Sequence, residues 1–140
     1  MASTRFLIDT NVISELRKTR RSPAVVEWIA SVQAEQLHIS VITIGEITKG
    51  IARQRRTARG IAAADDLQSW LEGLLLTYAD RIIPVDIPIA ARWGRLCDQH
   101  PQLAPDMLLA ATALDRGLTV ATRNTEHFAV TKVPVFNPFG

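Results

Sequence analysis

Short apolar runs alternate with amphipathic segments of helical spacing along this chain. Residues 6–8, 37–42, 82–85 and 118–121 form runs of the length and β-branched or aliphatic character expected of buried strands. The clearest helix is predicted at residues 65–78, where apolar side chains recur on one face. Asp86 is expected to cap the helix that follows it, and Gly117 is expected to end a helix that runs from Asp106 to about Arg116. Because parallel strands require long crossovers that are usually helical, this alternation predicts an α/β fold with a parallel sheet covered on both faces.

Size and composition favour one compact domain that spans residues 1–140. A chain of 140 residues can bury about two thirds of the surface that its unfolded form exposes. The single cysteine, Cys97, excludes an intramolecular disulfide and suits a reducing compartment. No run approaches the roughly 20 apolar residues of a membrane span, and no signal core is evident. We therefore expect a cytoplasmic protein without a membrane-embedded part.

Charge is distributed unevenly between the two parts of the sequence. Residues 1–60 carry 10 Lys and Arg against 5 Asp and Glu, a net of +5, whereas residues 61–140 carry 6 against 9, a net of −3. A basic half can attract phosphate, but Lys and Arg runs are more often solvated surface. The charge pattern is compatible with a nucleic-acid partner and does not establish one.

Three acidic residues stand where a strand ends or a helix begins. Asp9 follows the first apolar run, Glu46 lies in the predicted first turn of a helix that starts near Thr43, and Asp106 follows Pro105. Each has a purely structural alternative. Asp9 suits a helix N-cap, Thr43-x-x-Glu46 matches a capping box, and Asp106 favourably opposes a helix dipole.

Considered together, the three acids predict a metal site. In open α/β sheets, ligands bind beyond the carboxyl ends of the strands, where these positions would be gathered. Converging carboxylates repel one another unless a cation binds between them. Oxygen ligands without His or Cys suit hard cations such as Mg²⁺ or Mn²⁺. Such ions activate water for attack on a phosphodiester, which points to a nuclease.

Five blocks of sequence resemble the PIN-domain family, and within it the VapC- and FitB-like toxins of bacterial toxin–antitoxin pairs. They are LIDTNVISELRK, ISVITIGEITKGI, AARWGRL, PDMLLAATALDRGLTVATRN and VPVFNPF. Their order and spacing cover nearly the whole chain. The resemblance implies a three-layer α/β/α sandwich around a parallel sheet, and metal-dependent endonucleolytic cleavage of RNA.

The resemblance also implies the acidic ligands. Asp9, Glu46 and Asp106 match the acidic positions of the family, and Asp9 and Asp106 are expected to ligate Mg²⁺, or Mn²⁺, most directly. The fourth catalytic position falls on Asn124, where many relatives carry aspartate. An amide oxygen brings no charge, so one-metal chemistry is the expectation. Two interpretations of Glu126 remain. It supplies the negative charge that Asn124 lacks, or it is an acid in the first turn of a helix with no role in metal binding.

Polar residues around the acids are the predicted substrate contacts. Thr10, Asn11 and Thr122 match polar positions of the family, where they would orient ligands or a phosphate, although local capping is equally compatible. Arg123 is predicted to contact the RNA backbone, which positions RNA without reading its sequence. His38, His100 and His127 are too scattered for a zinc site, and no chemistry is assigned to them.

The resemblance finally implies partners. It predicts a ribonuclease toxin that a cognate antitoxin neutralises, a homodimer, a toxin–antitoxin hetero-oligomer, and contact with DNA only through the antitoxin. The alternative is a catalytically idle PIN-like module that binds protein or RNA. This alternative stays open because Asn124 stands where many relatives carry aspartate. A nucleotide-binding domain is disfavoured, because Gly50 is followed by Ile51 and Ala52 and not by the GK[ST] of a phosphate loop.

Overall fold

The computed structural model describes residues 3–140 and contains one five-stranded parallel sheet. In chain order, the strands are β1 (Phe6–Ile8), β2 (Leu37–Ser40), β3 (Ile82–Ile83), β4 (Thr119–Ala121) and β5 (Val135–Phe136). Their order across the sheet is β3-β2-β1-β4-β5, and every neighbouring pair is parallel. The predicted parallel sheet is therefore confirmed, with β1 at its centre.

Seven α-helices connect the strands within the described residues. They are α1 (Thr10–Arg17), α2 (Pro23–Ser31), α3 (Val41–Arg55), α4 (Ile61–Thr77), α5 (Ile87–Gln99), α6 (Ala104–Arg116) and α7 (Thr125–Ala129). Short 3₁₀ turns precede β2 and α6 at Ala34–Gln36 and Pro101–Leu103. None of these helices is long and apolar enough to cross a lipid bilayer.

Two separate apolar cores lie on opposite faces of the sheet, which makes the molecule a three-layer α/β/α sandwich. Successive side chains of a strand point to opposite faces. Phe6 and Ile8 accordingly join a core with buried residues of α1 to α4, whereas Leu7 joins a core with buried residues of α5, α6 and α7. All three residues of β1 are buried, as expected of a central parallel strand.

The boundaries of several elements differ from the sequence prediction. β2 ends at Ser40 and not at residue 42, because the Ser40 hydroxyl accepts a hydrogen bond from the backbone N–H of Ile42 and thereby caps α3. β3 stops at Ile83. β5 was not predicted, since two residues carry too little periodicity to indicate a strand.

Two helix ends agree with the sequence prediction. The Asp86 carboxylate accepts a hydrogen bond from the Ile89 backbone N–H at 3.1 Å, so it caps α5 as expected. Gly117 ends α6 in the left-handed region, with φ of 67°. Glycine adopts this conformation at little cost because it has no Cβ.

Candidate active site

Asp9 and Thr122 meet at the carboxyl ends of two adjacent strands. Ile8 is in register with Ala121 in the β1–β4 pair, and the residue that follows each of them leaves the sheet at the same edge. The Thr122 hydroxyl donates to Asp9 Oδ2 at 2.8 Å. The sheet order therefore places two residues 113 positions apart in direct contact.

Asp9 is both a helix cap and the most enclosed acid of this group. Its Oδ1 accepts from the Thr10 backbone N–H at 2.7 Å, which satisfies the first turn of α1. Asn11 Nδ2 donates to Oδ2 at 3.4 Å. Only 6% of Asp9 is exposed. The structural alternative and the functional prediction are thus compatible, because a capping carboxylate still has lone pairs for a further partner.

Burial raises the pKa of Asp9 above its ordinary value of 3.8, and the nearby charges of Asp106 and Glu46 raise it further. The hydrogen bonds from Thr122 and Thr10 act in the opposite direction and are outweighed by burial. The three predicted acids therefore lie close enough to interact electrostatically.

This shift has a consequence for stability that depends on pH. Between 3.8 and the higher pKa of the folded state, the folded chain binds more protons than the unfolded chain, so the free energy of unfolding falls as the pH rises through that window. We expect Asp9→Asn to remove this loss and to be more stable than the wild type at pH 7 in a chelating buffer. Urea unfolding at a series of pH values measures the difference in unfolding free energy between Asp9→Asn and the wild type. The advantage of the variant should vanish below pH 3.8. A difference that grows toward acid pH would contradict the assignment.

The sequence predicted Glu46 in the first turn of its helix, but Glu46 lies in the second turn of α3. The helix begins at Val41, so Thr43 is inside it and the capping-box interpretation was wrong. Thr43 is fully buried, and its hydroxyl has no hydrogen-bond partner among residues 3–140. Glu46 instead reaches α1, where the Thr10 hydroxyl donates to its Oε1 at 2.8 Å. Thr10 thus contacts two of the three acids, one by backbone and one by side chain.

Asp106 contacts a histidine that the sequence analysis left without a role. His127 Nδ1 lies 2.8 Å from Asp106 Oδ2, and the two residues belong to α7 and the first turn of α6. An ionised carboxylate can only accept, so the imidazole donates from Nδ1. The available signal was local: His127 is three residues after Asn124, a spacing that puts both on one side of a helix start.

Asn124 stands at the N-cap position of α7. Its backbone N–H donates to the Thr122 hydroxyl oxygen at 3.0 Å, and its side chain makes no capping hydrogen bond. Glu126 is exposed in the first turn of α7, where an acid favourably opposes the helix dipole.

Arg123 is held in place by contacts on three sides. Its backbone N–H donates to Asn11 Oδ1 at 3.3 Å, and a guanidinium nitrogen lies 3.8 Å from Glu15 Oε1. The guanidinium carbon also lies 3.8 Å from the centre of the Phe139 ring, a cation–π contact. About half of the Arg123 side chain stays exposed, at 52%. Arg123 is therefore oriented by Asn11, Glu15 and Phe139, and about half of its side chain remains accessible to an anion.

Glu15 was missed by the sequence analysis. It is buried and accepts hydrogen bonds from Lys18 Nζ at 2.9 Å and from the Ser22 backbone N–H at 2.8 Å, and these contacts hold the pKa of its carboxyl below the ordinary range. The signal in the sequence was its spacing, because Asn11 and Glu15 are four residues apart on α1 and share a face. Both contact Arg123.

The donor set fits a hard cation, although the side chains are not closed around one. Within residues 3–140, no three His, Cys, Asp or Glu side chains stand in a ready metal-binding arrangement. One oxygen of Glu46 and one of Asp106 are engaged by Thr10 and His127. Burial and the neighbouring carboxylates nevertheless disfavour the charge on Asp9, and a bound cation would restore it.

Comparison with known proteins places these features in a family. The chain is 36% identical over 138 residues to toxin FitB of Neisseria gonorrhoeae, covering 95% of this chain and 97% of FitB. It is 34% identical over 143 residues to VapC ribonuclease Y4jK of Sinorhizobium fredii, covering 95% of this chain and 96% of the relative.

Solved structures agree with the sequence relatives. The crystal structure of FitAcB from Neisseria gonorrhoeae contains a chain that matches with a TM-score of 0.84 at 36% identity, covering 96% of this chain and 98% of that one. A toxin–antitoxin complex from Klebsiella pneumoniae matches with a TM-score of 0.71 at 27% identity, covering 97% of this chain and 98% of that one. The model of the PIN domain matches residues 6–133, which include every residue of the site described above except Phe139. With its central parallel sheet, its acids at the carboxyl edge and these relatives, the chain belongs to the PIN-domain family.

Proposed function

We propose that this protein is the toxin of a toxin–antitoxin pair and acts as a divalent-metal-dependent endoribonuclease on RNA phosphodiester bonds. The observation that carries the proposal is the buried Asp9 carboxylate at the end of the central strand, whose pKa the charges of Asp106 and Glu46 raise further. Burying a charge beside like charges is costly unless a cation compensates it. Names of the relatives support the same activity, since they include a toxin and a ribonuclease.

In this proposal, Asp9 and Asp106 hold the ion directly and Glu46 completes its shell. Carboxylate oxygens favour Mg²⁺, and Mn²⁺ is an acceptable substitute. Asn124 lies beside Thr122 and contributes an uncharged amide oxygen, which supports one-metal chemistry. When bound, the ion supplies Lewis-acid polarisation of the phosphodiester and a lowered pKa of water.

The remaining polar residues orient the acids and the substrate. Thr10 donates to both Asp9 and Glu46, and Thr122 and Asn11 donate to Asp9, so all three fix carboxylate orientation before RNA arrives. Arg123, oriented by Glu15 and Phe139, has N–H groups available for an RNA phosphate. Such a contact supports RNA placement without base selection.

The partners follow from the same family placement. We propose a single PIN-like domain over residues 1–140 that works in the cytoplasm, forms a homodimer and is neutralised by a cognate antitoxin in a hetero-oligomer. Contact with DNA is assigned to the antitoxin. Support comes from the structural similarity to a toxin–antitoxin complex at 27% identity and from that to FitAcB.

Removing divalent metal should abolish the activity. We expect purified protein to cleave RNA in Mg²⁺ or Mn²⁺, because the ion supplies the activated water. In excess EDTA the cleavage rate should fall at least about 100-fold. Adding Mn²⁺ in excess over EDTA should restore the rate. Gel analysis of a labelled RNA measures the rate, and calorimetry measures Mn²⁺ binding without RNA. Undiminished cleavage in EDTA would contradict the proposal. Failure of the protein to bind any divalent ion would favour the idle binding module.

A further inference from the structure

Asp106 differs from the other two acids in what holds its side chain. Asp9 and Glu46 accept hydrogen bonds from Thr10, which lies on the helix directly after β1. Asp106 instead accepts from His127, a residue 21 positions away on α7. The orientation of Asp106 therefore depends on where α7 lies.

The contact engages one carboxylate oxygen of Asp106 and leaves the other outside it. His127 Nδ1 donates to Oδ2 at 2.8 Å, and Oδ1 takes no part in this bond. A donor on one oxygen restricts rotation of the carboxylate and fixes the direction in which the second oxygen points. A carboxylate restrained in this way is suited to present its second oxygen to a cation.

His127 is itself firmly placed, although part of its side chain is exposed. Its backbone N–H donates to the Asn124 carbonyl at 3.1 Å, within the first turn of α7. The next residue, Phe128, is fully buried in the core on that face of the sheet. The imidazole keeps 41% of its side-chain surface exposed, so its replacement removes little core packing.

We infer that His127 is a positioning residue that holds Asp106 for metal binding. Its Nδ1–H restrains Oδ2 of Asp106 and leaves Oδ1 outside this hydrogen bond, so that the carboxylate is ordered before a cation binds. In this role the imidazole acts through Asp106 and is not itself a metal ligand. This inference rests on the proposed function, because it assumes that Asp106 is a ligand.

Two amide substitutions distinguish this role from a general structural one. Asparagine places an N–H donor near the position of Nδ1, whereas glutamine places its donor near the position of Nε2, farther from the backbone. We expect His127→Ala and His127→Gln to weaken Mn²⁺ binding about ten- to hundredfold, as the loss of a residue that orients a metal ligand does. His127→Asn should restore most of the affinity.

The experiment measures Mn²⁺ dissociation constants by calorimetry without RNA, and then kcat and KM for RNA cleavage. His100→Ala is the matched control, since His100 lies at the end of α5 and makes none of the hydrogen bonds of the site. We expect kcat to fall with unchanged KM in His127→Ala and His127→Gln, and no change in His100→Ala.

Equal Mn²⁺ affinity in the wild type and in His127→Ala would overturn the inference. So would equal impairment of His127→Asn and His127→Gln, a comparison that remains decisive if His127→Ala does not fold. A wild-type protein that binds no Mn²⁺ would overturn the proposed function, and the inference with it. The wild-type titration therefore separates the two failures.

Discussion

Replacing Asp9 by asparagine should reduce RNA cleavage at least about 100-fold, since even residues that only orient a metal ligand commonly contribute 10- to 100-fold. The substitution keeps the size of the side chain and an oxygen that accepts from the Thr10 backbone N–H. It removes the negative charge at the most buried acid of the site. Initial cleavage rates of a labelled RNA in Mg²⁺, together with growth after induction in cells, measure the effect.

Asp98→Asn is a suitable control for this experiment. Asp98 is an exposed acid on α5, so the same charge is removed without a change at the sheet edge. We expect the control to cleave RNA like the wild type. Full cleavage by Asp9→Asn, in a folded protein, would exclude Asp9 as an essential metal ligand.

Replacing Phe128 by alanine should cost about 3–5 kcal/mol of unfolding free energy, the usual range for a buried phenylalanine. Phe128 is among the largest fully buried side chains and lies in the core beneath α6 and α7. The five residues of α7 are too few to form a helix alone. Tertiary contact of Phe128 therefore stabilises the helix that carries His127. Urea denaturation followed by far-UV circular dichroism measures the loss.

Phe136→Ala is the matched control, because Phe136 is 39% exposed and its ring contacts those of Phe6 and Trp28 at the edge of the other core. We expect it to cost less than half as much as Phe128→Ala. If the variant of Phe128 remains folded, its Mn²⁺ affinity should also fall, since the position of His127 depends on α7. If Phe128→Ala lowered the unfolding free energy by less than about 1 kcal/mol, packing of Phe128 could not be what stabilises α7.

Local patterns in the sequence were sufficient for most of the fold. The apolar run at residues 6–8 predicted β1 with its correct bounds, and Asp86 and Gly117 predicted the start of α5 and the end of α6. Predictions were weakest where two local signals competed. At residues 40–42, the β-branched Val41 and Ile42 favoured continued strand, whereas the hydroxyl of Ser40 actually caps a helix.

The candidate site was predicted only in part, for a related reason. Asp9, Glu46 and Asp106 were selected by their positions at element ends, and the electrostatic effect of the latter two on Asp9 supports that grouping. Glu15 and His127 were not selected. Glu15 contacts Arg123, and His127 contacts Asp106, across more than 20 residues. Their spacing from Asn11 and Asn124 indicates a shared helix face and does not by itself encode these distant contacts.

The sequence by itself determined most of the elements, several of their caps and the candidate acids, because these depend on neighbouring residues and on helix or strand periodicity. Tertiary structure decided which of those residues meet. With β1 between β2 and β4, Thr122 lies against Asp9, and with α7 beside α6, His127 lies against Asp106. Strand order and helix packing arise from burying two apolar faces of one sheet at the same time, and that requirement involves the whole chain.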